Sequence, residues 1–155
     1  MRLQCAIFEL DGALLTPAGD GSGSPAEPQL RPGAEKFLSL LKMEDVWMYA
    51  VSPADRTVAE AALRRTGLSG YFRGLMTYAE AGCGGEDPVL YEKCLTRLRC
   101  AKPQCVVFAS SLSGLRTAKQ AGFRVAAVCS EQPEAGRLAD YEISSYEEWL
   151  SSDGE

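Results

Sequence analysis

The chain has 155 residues, a formal net charge of −5, no histidine, and a make-up of 46% hydrophobic and 24% charged residues. That length and balance suit one soluble domain with a sizeable core. The acidic balance and the lack of a basic run argue against nucleic acid or an anionic membrane as partner, and no apolar stretch nears the roughly 20 residues of a membrane span.

Without histidine there can be no His-based triad, His general base or His metal ligand. Carboxylates, Lys, Tyr and Cys remain. The N-terminus lacks a charged region followed by an apolar region and a small-residue cleavage site, so a cytoplasmic protein with reduced thiols is expected. None of the six cysteines forms a Cys-x-x-Cys pair. Cys5, Cys105 and Cys129 sit in apolar runs and read as small core residues. The spacing of Cys94, Cys100 and Cys105 fits no usual zinc pattern.

In chain order, residues 3–10 read as a buried strand. Residues 17–30 are rich in Gly, Pro and Ser and read as a loop. A helix is expected over 32–43, with Pro32 in its first turn and Ala34, Phe37, Leu38 and Leu41 on one face. A strand over 46–51 and a helix over 54–66, closed by Gly67, come next. Residues 71–77 include a short strand, and 88–99 form a helix opened by Pro88. Residues 104–109 read as a strand, 112–121 as a helix closed by Gly122, and 124–128 as a strand. A short edge strand over 141–143 and a helix over 145–150, with Ser145 and Glu148 spaced as a capping box, complete the pattern. Trp47 and Trp149 read as packing residues. Strand–helix alternation with continuous apolar strands predicts a three-layer α/β fold on a parallel sheet. Ligand sites in such sheets lie at the carboxyl ends of the strands.

Three strand ends carry polar residues. The first strand ends in Glu9 and Asp11, which share a face of a strand as i and i+2, with Gly12 permitting a sharp turn. The second ends at Ser52, and the strand over 104–109 runs into Ser110 and Ser111.

These stretches, in this order, resemble the motifs of the haloacid dehalogenase-like (HAD) hydrolases. Residues 9–15 are similar to Asp-x-Asp-Gly-Thr-Leu, with Glu9 in the place of the nucleophile and Asp11 in that of the general acid-base. Ser52 stands where the family holds phosphate. Arg31-Pro32-Gly33-Ala34 is similar to the Pro-Gly opening of the first helix after a cap, and Asp87-Pro88-Val89-Leu90-Tyr91 to the tail of Lys-Pro-x-Pro-x-x-Tyr. Residues 106–122 look like Val-Phe-Glu-Asp-Ser-x-x-Gly-x-x-Ala-x-x-Ala-Gly. The resemblance implies a Rossmann-like core of the β-phosphoglucomutase and phosphoglycolate phosphatase branch, as a single domain over residues 1–155. Residues 17–30 stand in the place of the cap, so a capless protein is expected.

The same resemblance shows what the chain lacks. The family's lysine falls at Gly85 and its magnesium acids at Ala109 and Ser110. A Glu nucleophile is one methylene too long, and a misplacement of about 1 Å can cost on the order of 100-fold. Phosphoryl transfer depends on positioning and charge neutralisation, so Glu9 and Asp11 alone would repel a phosphate dianion. Arg56 and Arg116 fit solvated helix faces. Structural roles suit the same residues: Asp11 as a turn residue, Ser52 bonding the backbone, and Ser110, Ser111 and Ser113 as helix N-caps. The expected protein is a degenerate HAD-fold member, without a cofactor or metal, acting if at all as a binding or interaction domain, with a protein partner or a second copy as candidate partners. The alternative is a weak phosphoric monoester hydrolase or phosphomutase using Glu9 or Asp11, with Ser52 and Ser110 as substrate contacts.

Overall fold

The computed structural model describes residues 3–16 and 28–153. Its centre is a six-stranded, fully parallel sheet in the order β3-β2-β1-β4-β5-β6. The strands are β1 (Cys5–Glu9), β2 (Trp47–Ser52), β3 (Gly74–Thr77), β4 (Cys105–Ala109), β5 (Arg124–Val128) and β6 (Tyr141–Ile143). Helices α1 (Ala34–Met43), α2 (Arg56–Arg65), α3 (Tyr78–Ala81), α4 (Val89–Leu98), α5 (Leu112–Gln120), α6 (Pro133–Leu138) and α7 (Tyr146–Asp153) link and cover the strands. This is the expected three-layer α/β architecture.

Every residue of β1 and β4 is buried, because both faces of the central strands are covered. The period-2 alternation of a strand then feeds two cores. Ala6 and Phe8 belong to one, with Phe37, Leu38, Phe108 and Tyr146. Cys5 and Ile7 belong to the other, with Tyr91, Val107, Leu115 and Phe123. Phe8 and Phe108 are register partners and stack with ring centroids 4.4 Å apart, and Phe37 meets Phe108 edge-on at 5.7 Å. Aromatic contacts of this kind add roughly 0.5–1.5 kcal/mol each beyond burial.

Local chemistry explains two helices not expected from hydrophobic periodicity. Helix α3 is a single turn held by a capping box, in which the Thr77 side chain accepts from the Glu80 N–H and the Glu80 side chain takes the Thr77 N–H. Helix α6 starts at Pro133, with φ preset for a first turn. Both are too short for a periodic apolar face to register. Strand β1 is shorter than expected, because the chain turns at Leu10. Trp149 packs edge-on against Phe37 at 4.8 Å, as expected of a packing residue. Trp47 does not: it is 45% exposed at the start of β2, with the Arg73 guanidinium 4.0 Å over its ring.

Of the loop expected over 17–30, residues 17–27 lie outside the described residues, and with them the expectation of a missing cap. The flanking residues meet. Leu15 and Leu30 form an antiparallel bridge, Thr16 N–H donates to Gln29 O at 2.7 Å, and Arg31 N–H donates to Leu14 O at 2.8 Å. No helix among the described residues is long and apolar enough to cross a membrane.

The expectation of reduced thiols fails at one pair. Cys5 and Cys100 form a disulfide across 95 residues of sequence. The left-handed turn at Arg99, φ 54°, ends α4 and carries Cys100 back beside the start of β1. Sequence spacing could not reveal this pairing, because it depends on where α4 stops. Closing a loop of that size restricts the unfolded chain by about 4–5 kcal/mol in the chain-entropy account. Cys5→Ala/Cys100→Ala, compared with the oxidised protein by urea denaturation, should therefore lose stability on the order of 3–5 kcal/mol, and added reductant should produce the same loss in the wild type but none in the variant.

Candidate active site

Strand β1 has β2 on one side and β4 on the other; the connection after β1 runs to β2 and the one after β4 runs to β5, in opposite directions. The carboxyl ends of these three strands flank a crevice of the kind where open α/β sheets bind ligands. Glu9 and Asp11, Ser52, and Ser110 with Ser111 therefore lie at adjacent strand ends.

After Glu9 the chain makes one tight turn over Leu10–Leu14. Leu15 N–H donates to Leu10 O at 3.1 Å and Gly12 N–H to Leu15 O at 2.8 Å. Gly12 has φ +96°, and a Cβ there would collide with the Ser110 hydroxyl. Only glycine meets both demands. Arg31 Nε donates to Gly12 O at 2.6 Å and holds the turn from outside.

The turn separates the two acids. As strand neighbours they would point the same way, but β1 stops at Glu9 and Asp11 lies within the turn. The Glu9 side chain goes inward and is 5% exposed. Its Oε1 accepts the backbone N–H groups of Ser110 at 3.0 Å and Ser111 at 3.2 Å, and its Oε2 lies 2.5 Å from the Ser111 hydroxyl. Ser111 is also the N-cap of α5, accepting the Gly114 N–H at 3.0 Å. The Glu9 carboxyl thus sits at the positive end of α5 and fastens β1 to the β4–α5 connection. Burial raises its pKa above 4.5, and the Ser111 hydroxyl and the Ser110 and Ser111 N–H groups oppose the rise without cancelling it.

Asp11 is exposed. Ser52, itself fully buried, donates from its hydroxyl to Asp11 Oδ2 at 2.9 Å and accepts the Ala54 N–H at 3.1 Å. Ser110 donates its N–H at 3.0 Å and its hydroxyl at 3.5 Å to Glu9, and Ser113 lies within α5, whose N-cap is Ser111. The two arginines are engaged elsewhere. Arg56 is bound to Glu80 at 2.5 Å and Glu60 at 2.9 Å, and Arg116 to Glu134 at 2.9 Å.

Two tyrosines complete the surroundings. At Gly85 a Cβ would lie 2.8 Å from the Tyr78 hydroxyl, so that ring fills the space beside it. Burial, with the nearby charges of Glu9 and Asp11, pushes the Tyr78 phenol up to about 12. Tyr91 is fully buried and its hydroxyl has no hydrogen-bond partner among the described residues. A Cβ on Gly114 would lie 2.5 Å from Glu9 Oε2, 2.9 Å from the Ser111 hydroxyl and 3.0 Å from the Tyr91 hydroxyl, so the three groups crowd one glycine. Tyr78 lies outside every matched motif, so nothing in the sequence marks it. Tyr91 and Ser111 lie inside motifs, but their convergence on Glu9 depends on the fold.

Residues 21–122, well over half of the chain, match the family model of the haloacid dehalogenase-like hydrolases. The chain belongs to this family. A curated relative, a phosphorylated carbohydrates phosphatase of Thermotoga maritima, is 31% identical over 91 residues, which cover 59% of this chain and 42% of the relative. The chain therefore spans less than half of that enzyme's length. Among solved structures, a Thermotoga maritima protein provisionally described as a β-phosphoglucomutase superposes with a TM-score of 0.80 at 18% identity, over 97% of this chain and 98% of that one. CbbY of Rhodobacter sphaeroides, solved with phosphate, gives 0.76 at 18% identity over 93% and 95%.

Against the HAD pattern, the donor set does not suit magnesium. Magnesium seeks oxygen ligands in octahedral array. Here Glu9 Oε1 faces two N–H groups, and Ala109 and Ser110 offer no carboxylate. Among the described residues, no three of His, Cys, Asp and Glu are grouped to hold a metal ion.

The raised pKa of Glu9 has a definite sign for stability. A carboxyl whose pKa is higher in the folded state favours folding when protonated. Its contribution is fully present below the unfolded value, near 4.5, and is lost as pH rises through the folded value. Glu9→Gln keeps the shape and removes the titration. The stability of wild type relative to Glu9→Gln, by urea denaturation, should fall between pH 4.5 and pH 8; equal differences at both pH values would contradict a raised pKa.

Proposed function

We propose that this HAD-family chain has lost phosphoryl-transfer chemistry and serves as a binding domain. The observation that carries the reading is the position of Glu9. The group in the nucleophile's place is buried and turned onto the β4–α5 backbone, away from the open crevice that holds Asp11. A nucleophile must approach phosphorus in line at about 3–3.5 Å, and a carboxyl engaged by two N–H groups and a hydroxyl is not free to do so.

The loss of charge supports the same reading. Phosphoryl transfer depends on cations that neutralise the transferring group. The lysine position is Gly85, packed against Tyr78, and the acids that would bring magnesium are Ala109 and Ser110. We infer that the chain needs no metal and no cofactor.

One observation favours a second reading as a weak phosphatase. Asp11 and Ser52 remain bonded to each other at the crevice, and the curated relative is a phosphatase. Purified protein assayed with p-nitrophenyl phosphate at saturating magnesium distinguishes the two. The binding-domain reading expects no hydrolysis above that of the Asp11→Ala variant. Magnesium-dependent turnover in the usual range of about 1–1000 per second, abolished by Asp11→Ala, would establish the phosphatase instead.

A further inference from the structure

The two sulfurs of the Cys5–Cys100 bond stand in different surroundings. Cys5 is 1% exposed and opens a central strand, with Trp47 and Cys105 as its register partners on either side. Cys100 is half-buried beyond the last turn of α4. It stands in the wall of a cleft of about 310 Å³ with Gln4, Asp45, Trp47 and Arg99. This cleft lies at the amino end of β1, away from the crevice of Glu9 and Asp11. A molecule from solvent therefore meets Cys100 first.

The segment that carries Cys100 is lightly held. Arg99 is exposed and takes a φ of 54°, a left-handed conformation that costs a residue with a side chain. The Cys100 N–H reaches Leu95 O only at 3.4 Å. Segments with long backbone hydrogen bonds and few buried contacts open locally at less cost than a sheet. Strand β1 is paired on both sides and keeps its place with or without the bond. A reduced Cys5 would find suitable surroundings, since Cys94 and Cys105 are fully buried free thiols in the same core. A thiol behaves there as a small apolar residue. The fold thus accommodates both the bonded and the open form.

We propose that the Cys5–Cys100 bond is a thiol-exchange site, entered at the Cys100 sulfur by a low-molecular-weight thiol of the glutathione type, and that it fastens or frees the end of α4. The small thiolate attacks Cys100 Sγ and bonds to it. The electron pair of the broken bond leaves on Cys5, which takes a proton from solvent. A second small thiolate attacks the added sulfur; the small disulfide departs, and Cys100 leaves as a thiolate. The reverse sequence, with that small disulfide as oxidant, rebuilds the bond. Cys105 lies across from Cys5, but burial pushes its thiol up to about 12, so it does not compete as a nucleophile. The site is at the other end of the sheet from the crevice and stands whichever function the crevice has.

The oxidised full chain, without denaturant, is treated with reduced glutathione, quenched in acid and mapped by peptide mass. The adduct should sit on Cys100, with none on Cys5, Cys94 or Cys105. Mixtures of reduced and oxidised glutathione should open and re-form the bond reversibly. On reduction, amide chemical shifts should move around residues 95–101 while the spectrum stays that of a folded chain. Cys5→Ala leaves Cys100 without its partner and should take up glutathione from oxidised glutathione at Cys100. Cys100→Ser should take up none at Cys5. Thermal melts establish that both variants fold. An adduct on Cys5, exchange that proceeds only in urea, an unmodified Cys100 in Cys5→Ala, or an unfolded spectrum on reduction overturns the proposal.

Discussion

The carboxyl of Glu9, set against the first amides of α5, is the contact on which the architecture of this crevice depends. Strand β1 supplies the group, β4 and α5 supply the donors, and the turn at Gly12 is packed directly on Ser110. In a metal-dependent relative of this fold, acids from both strands would repel each other and need a cation between them. Here one acid faces amides and a hydroxyl, and the two strand ends join directly. The extra methylene of Glu, a defect for in-line attack, is what gives the carboxyl the reach to do this.

The neighbouring residues fit closely around the Glu9 carboxyl. Ala109, a small neutral residue beside this contact, packs into the second core. Gly114 gives the carboxyl, the Ser111 hydroxyl and the Tyr91 hydroxyl room to converge. The Tyr91 hydroxyl is left unsatisfied, a cost of roughly 1–3 kcal/mol.

Much of the fold was legible because its signals are local or periodic. The apolar runs of β1, β2, β4 and β5 and the helical face of α1 follow from spacing alone, and the order of the motif-like segments placed Glu9, Ser52 and Ser110 at one end of the sheet. What could not be read was set by tertiary contact. The divergence of Glu9 from Asp11 depends on where β1 stops pairing. The Cys5–Cys100 bond depends on a left-handed residue at the end of α4. The half-exposed place of Trp47 at the start of β2, with an arginine 26 positions later over its ring, depends on what the fold brings beside it. The place of Tyr78 beside Gly85 follows from the packing of a one-turn helix.

The pairing of Leu15 with Leu30 has a consequence of another kind. The described chain leaves the core at Thr16 and returns at Pro28, and its two flanks meet in a hydrogen-bonded doorway. The core on either side is stitched together before and after it, so the length of chain spliced in at this place is nearly decoupled from the rest of the sheet. Loop closure grows only logarithmically with length, by about 0.6 kcal/mol for each doubling. The doorway is thus a socket at the mouth of the crevice, where segments of very different size could be exchanged in evolution while the parallel sheet behind them kept its register.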